Sequence, residues 1–160
     1  MQSTLNQSNP IAVIKETLAM IYNISHNTPE IFAKIDKVVG NPFGFIEALK
    51  TGGTGSPKLF VTSASSEIEG LLSQDSYTNS CNIELRPNGI IVRFKSKLET
   101  FALPIPYYKL TLYKGTADGY SIYRDQHFLK VKGAKPSIIK FISRVLKAKA
   151  EYHNEFASLH

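Results

Sequence analysis

Arg93, Lys95 and Lys97 recur two residues apart. On a strand that spacing puts three cations on one face, opposite Val92 and Phe94. Lys109, Lys114, Lys130 and Lys132 fall in neighbouring segments rich in strand formers. Together they would form an anion-attracting surface, suited to phospholipid headgroups or to an acidic protein. The same lysines also suit the solvated side of an amphipathic sheet, where they discourage edge-to-edge pairing. Arg93, Lys95, Lys97 and Lys109 are the candidate binding residues.

Other groups capable of chemistry do not assemble into a pattern. His26, His127, His153 and His160 lack metal-ligand spacing, and no cysteine pair accompanies them. The single cysteine, Cys81, lies between Ser80 and Asn82 with no Cys/His motif around it, and reads as a small residue opening a strand. Glu67 and Glu69 would share a face if their segment is a strand, but acid–base work needs surroundings that drive two carboxyl pKa values apart. Gly52-Gly53-Thr54-Gly55-Ser56 lacks the Gly-Lys-Ser/Thr ending of a phosphate loop and leads through Pro57 and Lys58 into an expected strand. Ser63, Ser65, Ser66 and Ser73 sit in no Gly-x-Ser-x-Gly elbow. Tyr107, Tyr108, Tyr113, Tyr120 and Tyr123 cluster late in the chain; such residues can stack bases, and they also pack well in strands. No metal or cofactor is expected. An enzyme built from scattered residues would draw on Tyr108, Asp125 and His127.

Charge points the same way. The 160 residues carry 19 Lys and Arg against 13 Asp and Glu, a net +6. Residues 1–56 balance, and the excess is divided between residues 57–133 and 134–160. A dedicated nucleic-acid binder concentrates more charge than this. The polar start, Met1 to Pro10, lacks Lys and Arg, and Lys15 and Glu16 interrupt the apolar stretch that follows. A secretory signal wants the opposite, so a cytoplasmic location is expected. A lone thiol fits that compartment.

The elements that must hold these residues follow from periodicity. Ile11, Ile14, Leu18, Ile21 and Tyr22 predict a helix opened by Pro10. Thr28, Pro29 and Glu30 predict a second helix, with Ile31, Ile35 and Val38 buried and Gly40 ending it. A short third helix carries Phe43, Ile46 and Leu49 on its apolar side. Residues 51–57 read as a Gly-rich hinge. The period then falls to two. Strands are predicted at Lys58–Ser63, Glu67–Leu72, Cys81–Arg86, Ile90–Lys95, Thr100–Ile105, Tyr108–Lys114, Tyr120–Arg124 and His127–Lys132. Arg86-Pro87-Asn88-Gly89 and Thr116-Ala117-Asp118-Gly119 are turn signals. Pro104 and Pro106 confine their strand to an edge or a bend. Pro136 opens a last helix with a stripe of Ile138, Ile142, Val145, Tyr152 and Phe156, opposite Lys140, Arg144 and Lys147.

A run of short antiparallel strands closed by one amphipathic helix resembles the pleckstrin-homology-like fold of certain bacterial domains. The residues carrying the likeness are Ile83-Glu84-Leu85-Arg86-Pro87-Asn88-Gly89-Ile90-Ile91-Val92-Arg93-Phe94 and Leu103-Pro104-Ile105-Pro106-Tyr107-Tyr108-Lys109-Leu110, within about 57–156. The resemblance implies an α+β fold: a curled, partly open barrel capped by the C-terminal helix at 57–160, behind an N-terminal helical extension at 1–56. Phosphoinositide-binding members carry a basic cluster on their first two strands. Here Leu59 to Leu85 holds no Lys or Arg, but Glu67, Glu69, Asp75 and Glu84. The expected function is therefore a non-enzymatic binding or scaffold module for a protein partner. The alternative is attachment to an anionic membrane through Arg93, Lys95, Lys97 and the last helix. A homo-oligomer is compatible with either.

Overall fold

A computed structural model of the chain describes residues 20–72, 79–115 and 118–159. The fold is α+β. Among the described residues, eight antiparallel strands form one sheet that does not close, in the order β1-β5-β4-β3-β2-β8-β7-β6. The strands are β1 (Tyr22–Asn23), β2 (Leu59–Ala64), β3 (Ser80–Arg86), β4 (Gly89–Ser96), β5 (Glu99–Pro106), β6 (Leu110–Lys114), β7 (Gly119–Arg124) and β8 (His127–Lys132). The helices are α1 (Pro29–Val39), α2 (Phe45–Lys50), α3 (Ser66–Leu72) and α4 (Pro136–Ser158). A single 3-10 turn, Tyr107–Lys109, precedes β6.

β2 is the strand on which the sheet turns. Leu59 and Phe60 pair with β3, and after a register shift between Val61 and Ser63 the same strand pairs with β8. Such a bulge bends a strand and steepens its twist, so the two halves curl towards each other. The concave side holds the core: Leu59, Ile83, Leu85, Ile90, Val92, Phe94, Leu103, Ile105, Ile122, Leu129 and Val131, closed by Ile138, Phe141, Ile142 and Val145 of α4. The C-terminal helix has the predicted start at Pro136, and its stripe is buried as far as Val145; Tyr152 is half-buried and Phe156 is exposed. The β3–β4 hairpin turns at Pro87-Asn88 as expected. Its Gly89 is obligatory for another reason: a Cβ there would lie 2.2 Å from the Ile105 carbonyl oxygen.

The N-terminal extension packs on the convex side. Ile35 and Val39 of α1 cover Ile91 of β4 and Ala102 of β5, forming a second, smaller core. β4 is thus buried on both faces, which explains why its alternation, with Ile90, Ile91 and Val92 all apolar, is imperfect. Arg86 locks this layer. Its side chain is buried, its Nη1 donates to Asp36 and to the Gly40 carbonyl (both 2.8 Å), and its Nε donates to Glu84. The Gly-rich segment is hydrogen-bonded along β3, with Ser56 N donating to the Ile83 carbonyl (2.8 Å) and Leu85 N to the Thr54 carbonyl (2.7 Å).

Several expectations change. Glu67–Leu72 is helical, because Ile68 and Leu72, four apart, both point into the core. Glu67 and Glu69 therefore do not form a strand face. The helix expected from Pro10 lies outside the described residues except at its end, where Tyr22 is in β1 and pairs with Ala102. Lys109 belongs to the 3-10 turn before β6, not to a strand. Lys97 is in the turn after β4 with φ +55°, so it leaves the strand face it was expected to share. In the turn expected at 116–119, Thr116 and Ala117 lie outside the described residues. Among the described residues no helix is long and apolar enough to cross a membrane.

Candidate functional site

The predicted cations separate into three places. Arg93 and Lys95 alternate with core-facing Val92 and Phe94 on β4, and they line one shallow depression of about 330 Å³ with Lys58, Ser80, Asn82 and Thr100. The strand pairing explains the set: Arg93 is opposite Asn82, and Lys95 is opposite Thr100. Lys58 was not foreseen, because only the β2–β3 pairing brings it beside Asn82. Arg93 is partly neutralised by Glu84, which accepts from its Nη1 at 2.9 Å. Burial pushes the Glu84 carboxyl up, but the hydrogen bonds and charges of Arg86 and Arg93 outweigh it and hold the group below its ordinary value. Lys97 stands at the hairpin tip beside Leu98, which is 100% exposed. Lys109 is elsewhere, ion-paired with Asp125 at 3.3 Å.

Two of the late tyrosines, Tyr113 and Tyr123, form a surface ladder with Phe128. The Tyr113 and Tyr123 rings stack at 5.8 Å, and Tyr123 lies 5.4 Å from Phe128. Tyr108 and Asp125 line a shallow depression together with Tyr113 and Tyr123 of this ladder, while His127 is buried. Cys81 is also buried, and loss of solvation raises its thiol from 9.0 to about 12. Among the described residues no three His, Cys, Asp or Glu side chains group as a metal ion would need.

A concavity of about 620 Å³ lies between α4 and the segment that follows α1. Its apolar floor is Phe43, Leu85, Pro87, Tyr107, Ala148 and Tyr152. Lys50, Arg144 and Lys147 line one part of the rim, and Glu151 and Glu155 another. Tyr107 anchors the floor: its hydroxyl donates to the Arg86 carbonyl at 3.0 Å, and its ring meets Tyr152 at 5.6 Å. The guanidinium of Arg144 donates to the Gly53 carbonyl and so ties α4 to the Gly-rich segment.

Beside this cleft α2 stands proud of the molecule. The helix expected through Phe43, Ile46 and Leu49 begins only at Phe45; Phe45, Ile46 and Leu49 are 80%, 67% and 65% exposed, and α2 buries no residue. Six residues are too few to hold a helix by propensity. This one is fixed at its ends, by the half-buried Phe43 packed against the core and by Gly53 N donating to the Ala48 carbonyl at 2.7 Å.

No protein-family model matches the chain, and neither does any curated protein or solved structure.

Proposed function

We propose that the chain is a non-enzymatic binding module of pleckstrin-homology-like architecture that docks another protein on α2 and the adjoining cleft. The observation that carries this is the exposed apolar side of α2. Three large apolar side chains on one short helix, next to an apolar-floored cleft with a charged rim, have the composition of an interface core and its surround. The architectural part is supported by the strand order β5-β4-β3-β2-β8-β7-β6, the bent strand shared between the two halves, and the helix that follows. The lone cysteine supports a reducing, cytoplasmic setting.

The test is affinity capture by the tagged full-length chain from cells that also express an untagged copy. The native chain is expected to retain a partner, either another protein or the untagged copy, and Phe45→Asp or Ile46→Asp is expected to release it. Capture that ignores both substitutions, or no capture at all, would overturn the docking site.

Leu98 favours a second function, attachment to an anionic membrane. A fully exposed leucine at a hairpin tip, flanked by Lys97 and following Lys95, suits insertion at the headgroup boundary with lysines on anionic lipid. Vesicles containing phosphatidylserine should sediment the native chain at physiological salt and lose it on Leu98→Ser. Equal sedimentation of both would remove the hairpin from the function.

A further inference from the structure

We infer, on the basis of the docking site above, that its partner is a second copy of this chain, placed by a two-fold axis so that α2 of each copy enters the cleft of the other. Three features of the surface fit that partner.

The projection and the recess are neighbours but do not meet within one molecule. Lys50 and Thr51, at the end of α2, line the cleft; Phe45, Ile46 and Leu49 do not. The apolar side of α2 therefore stands next to its own cleft and cannot fill it. A two-fold contact brings the same patch from both molecules together, so a projection beside a recess on one molecule meets a recess beside a projection on the other. Such a contact closes on itself and satisfies both α2 helices at once.

Charge selects the partner. The cleft and the neighbouring α2 hold Lys50, Arg86, Arg144 and Lys147 against Glu47, Glu151 and Glu155, close to balance, and Arg86 is itself paired with Asp36 and Glu84. The chain as a whole is +6, so most of the excess lies outside the patch. Two copies approaching by an average surface repel, and approaching here they repel less. A strongly acidic or strongly basic partner would gain nothing from a balanced rim.

The charges are also segregated. Lys147 is followed by Glu151 and Glu155, one and two turns further along α4. Where the two-fold axis runs perpendicular to α4, the two copies of the helix are antiparallel, and the basic stretch of each faces the acidic stretch of the other. Phe156, exposed and stacked on Tyr152 at 6.4 Å, continues the apolar surface past Glu155.

The experiment is sedimentation velocity on the full-length chain over a concentration series, with circular dichroism and thermal unfolding as fold controls. The native chain is expected to populate a dimer. Ile46→Asp should weaken it by at least about tenfold in Kd without changing the spectrum, since it puts a charge into the contact. Lys147→Glu should weaken it less, and the exchanged pair Lys147→Glu with Glu151→Lys should restore it, because both copies then carry the inverted pattern. Leu98→Asp, on another surface, should leave the dimer intact. A native chain that stays monomeric throughout overturns the inference while leaving docking of a different protein to the capture experiment. A dimer indifferent to Ile46→Asp overturns it as well.

Discussion

The Arg86 guanidinium lies 2.8 Å from the Asp36 carboxylate, across 50 positions of sequence, and this contact fastens α1 to the sheet. Arg86 also donates to Glu84 and to the carbonyl that ends α1 at Gly40. A buried guanidinium is tolerated only when its donors are met, so removing one partner exposes the desolvation cost of the rest. Arg86→Ala should cost about 3–5 kcal/mol and Asp36→Ala, at the more exposed end, on the order of 1–3 kcal/mol. Urea unfolding checks both.

Glu84 gives the same network a pH dependence. Burial raises its carboxyl, but Arg86 and Arg93 lower it further, so the folded value lies below the ordinary 4.5. A depressed folded value contributes stability that is present above the unfolded value and lost as pH falls through the folded one. Stability should therefore fall below about pH 4.5, and Glu84→Gln should flatten that limb in denaturant titrations at successive pH values.

At the alkaline end the sign reverses. Burial raises Cys81 from 9.0 and Tyr107 from 10.0, each to about 12, with the charge of Glu151 adding to the Tyr107 shift. The unfolded chain loses these protons first, so stability should drop progressively from about pH 9 to pH 12. Cys81→Ala and Tyr107→Phe should each shallow the drop. At neutral pH a thiol reagent should label Cys81 only as fast as the core opens.

Two glycines should respond oppositely to the same change. Gly89→Ala drives a Cβ to 2.2 Å from the Ile105 carbonyl oxygen and 2.8 Å from Val39 Cγ1. It should cost on the order of 2–4 kcal/mol, as steric overpacking of backbone does. Gly70 is inside α3 with nothing within 4 Å of its added Cβ. Gly70→Ala should stabilise by about 0.5–1 kcal/mol through helix propensity. Thermal unfolding midpoints separate the two.

Arg124 bridges the opening of the sheet. It sits on β7, is buried, and donates to the Pro104 carbonyl on β5, a strand that no ladder joins to β7. Pro104, in register with Ile91 of β4, has no N–H to satisfy. Arg124→Ala should leave that carbonyl unpaired, cost about 2–4 kcal/mol, and speed hydrogen exchange at the ends of β5 and β7 first.

Much of the sheet was legible in the residues. The β3–β4 hairpin follows from alternation on both sides of Pro87-Asn88-Gly89, and β7–β8 from alternation across Asp125-Gln126. Signals of this kind are local, since strand period and turn chemistry need no distant partner. α3 carries a local signature as well, with Ser65 and Ser66 ahead of Ile68, Leu71 and Leu72 at helical spacing. Lys97 was not legible, because Lys-Leu carries no turn signature and only the pairing of Ser96 with Glu99 makes it a tip.

The amino-acid sequence by itself determined the α+β class, the strand pairs joined by tight turns and the amphipathic C-terminal helix, all products of interactions within a few residues. Tertiary structure alone decided which faces stayed open. An apolar side chain does not record whether a neighbour will cover it: Ile91 looks like a strand residue on the wrong face until α1 packs there, and Ile46 looks buried until no element of the chain comes to meet it. Lys58, Arg93 and Lys95 share a surface, and Lys109 does not, for the same reason. Those placements depend on long-range pairing, where the free energy of burial is settled between segments that the sequence keeps far apart.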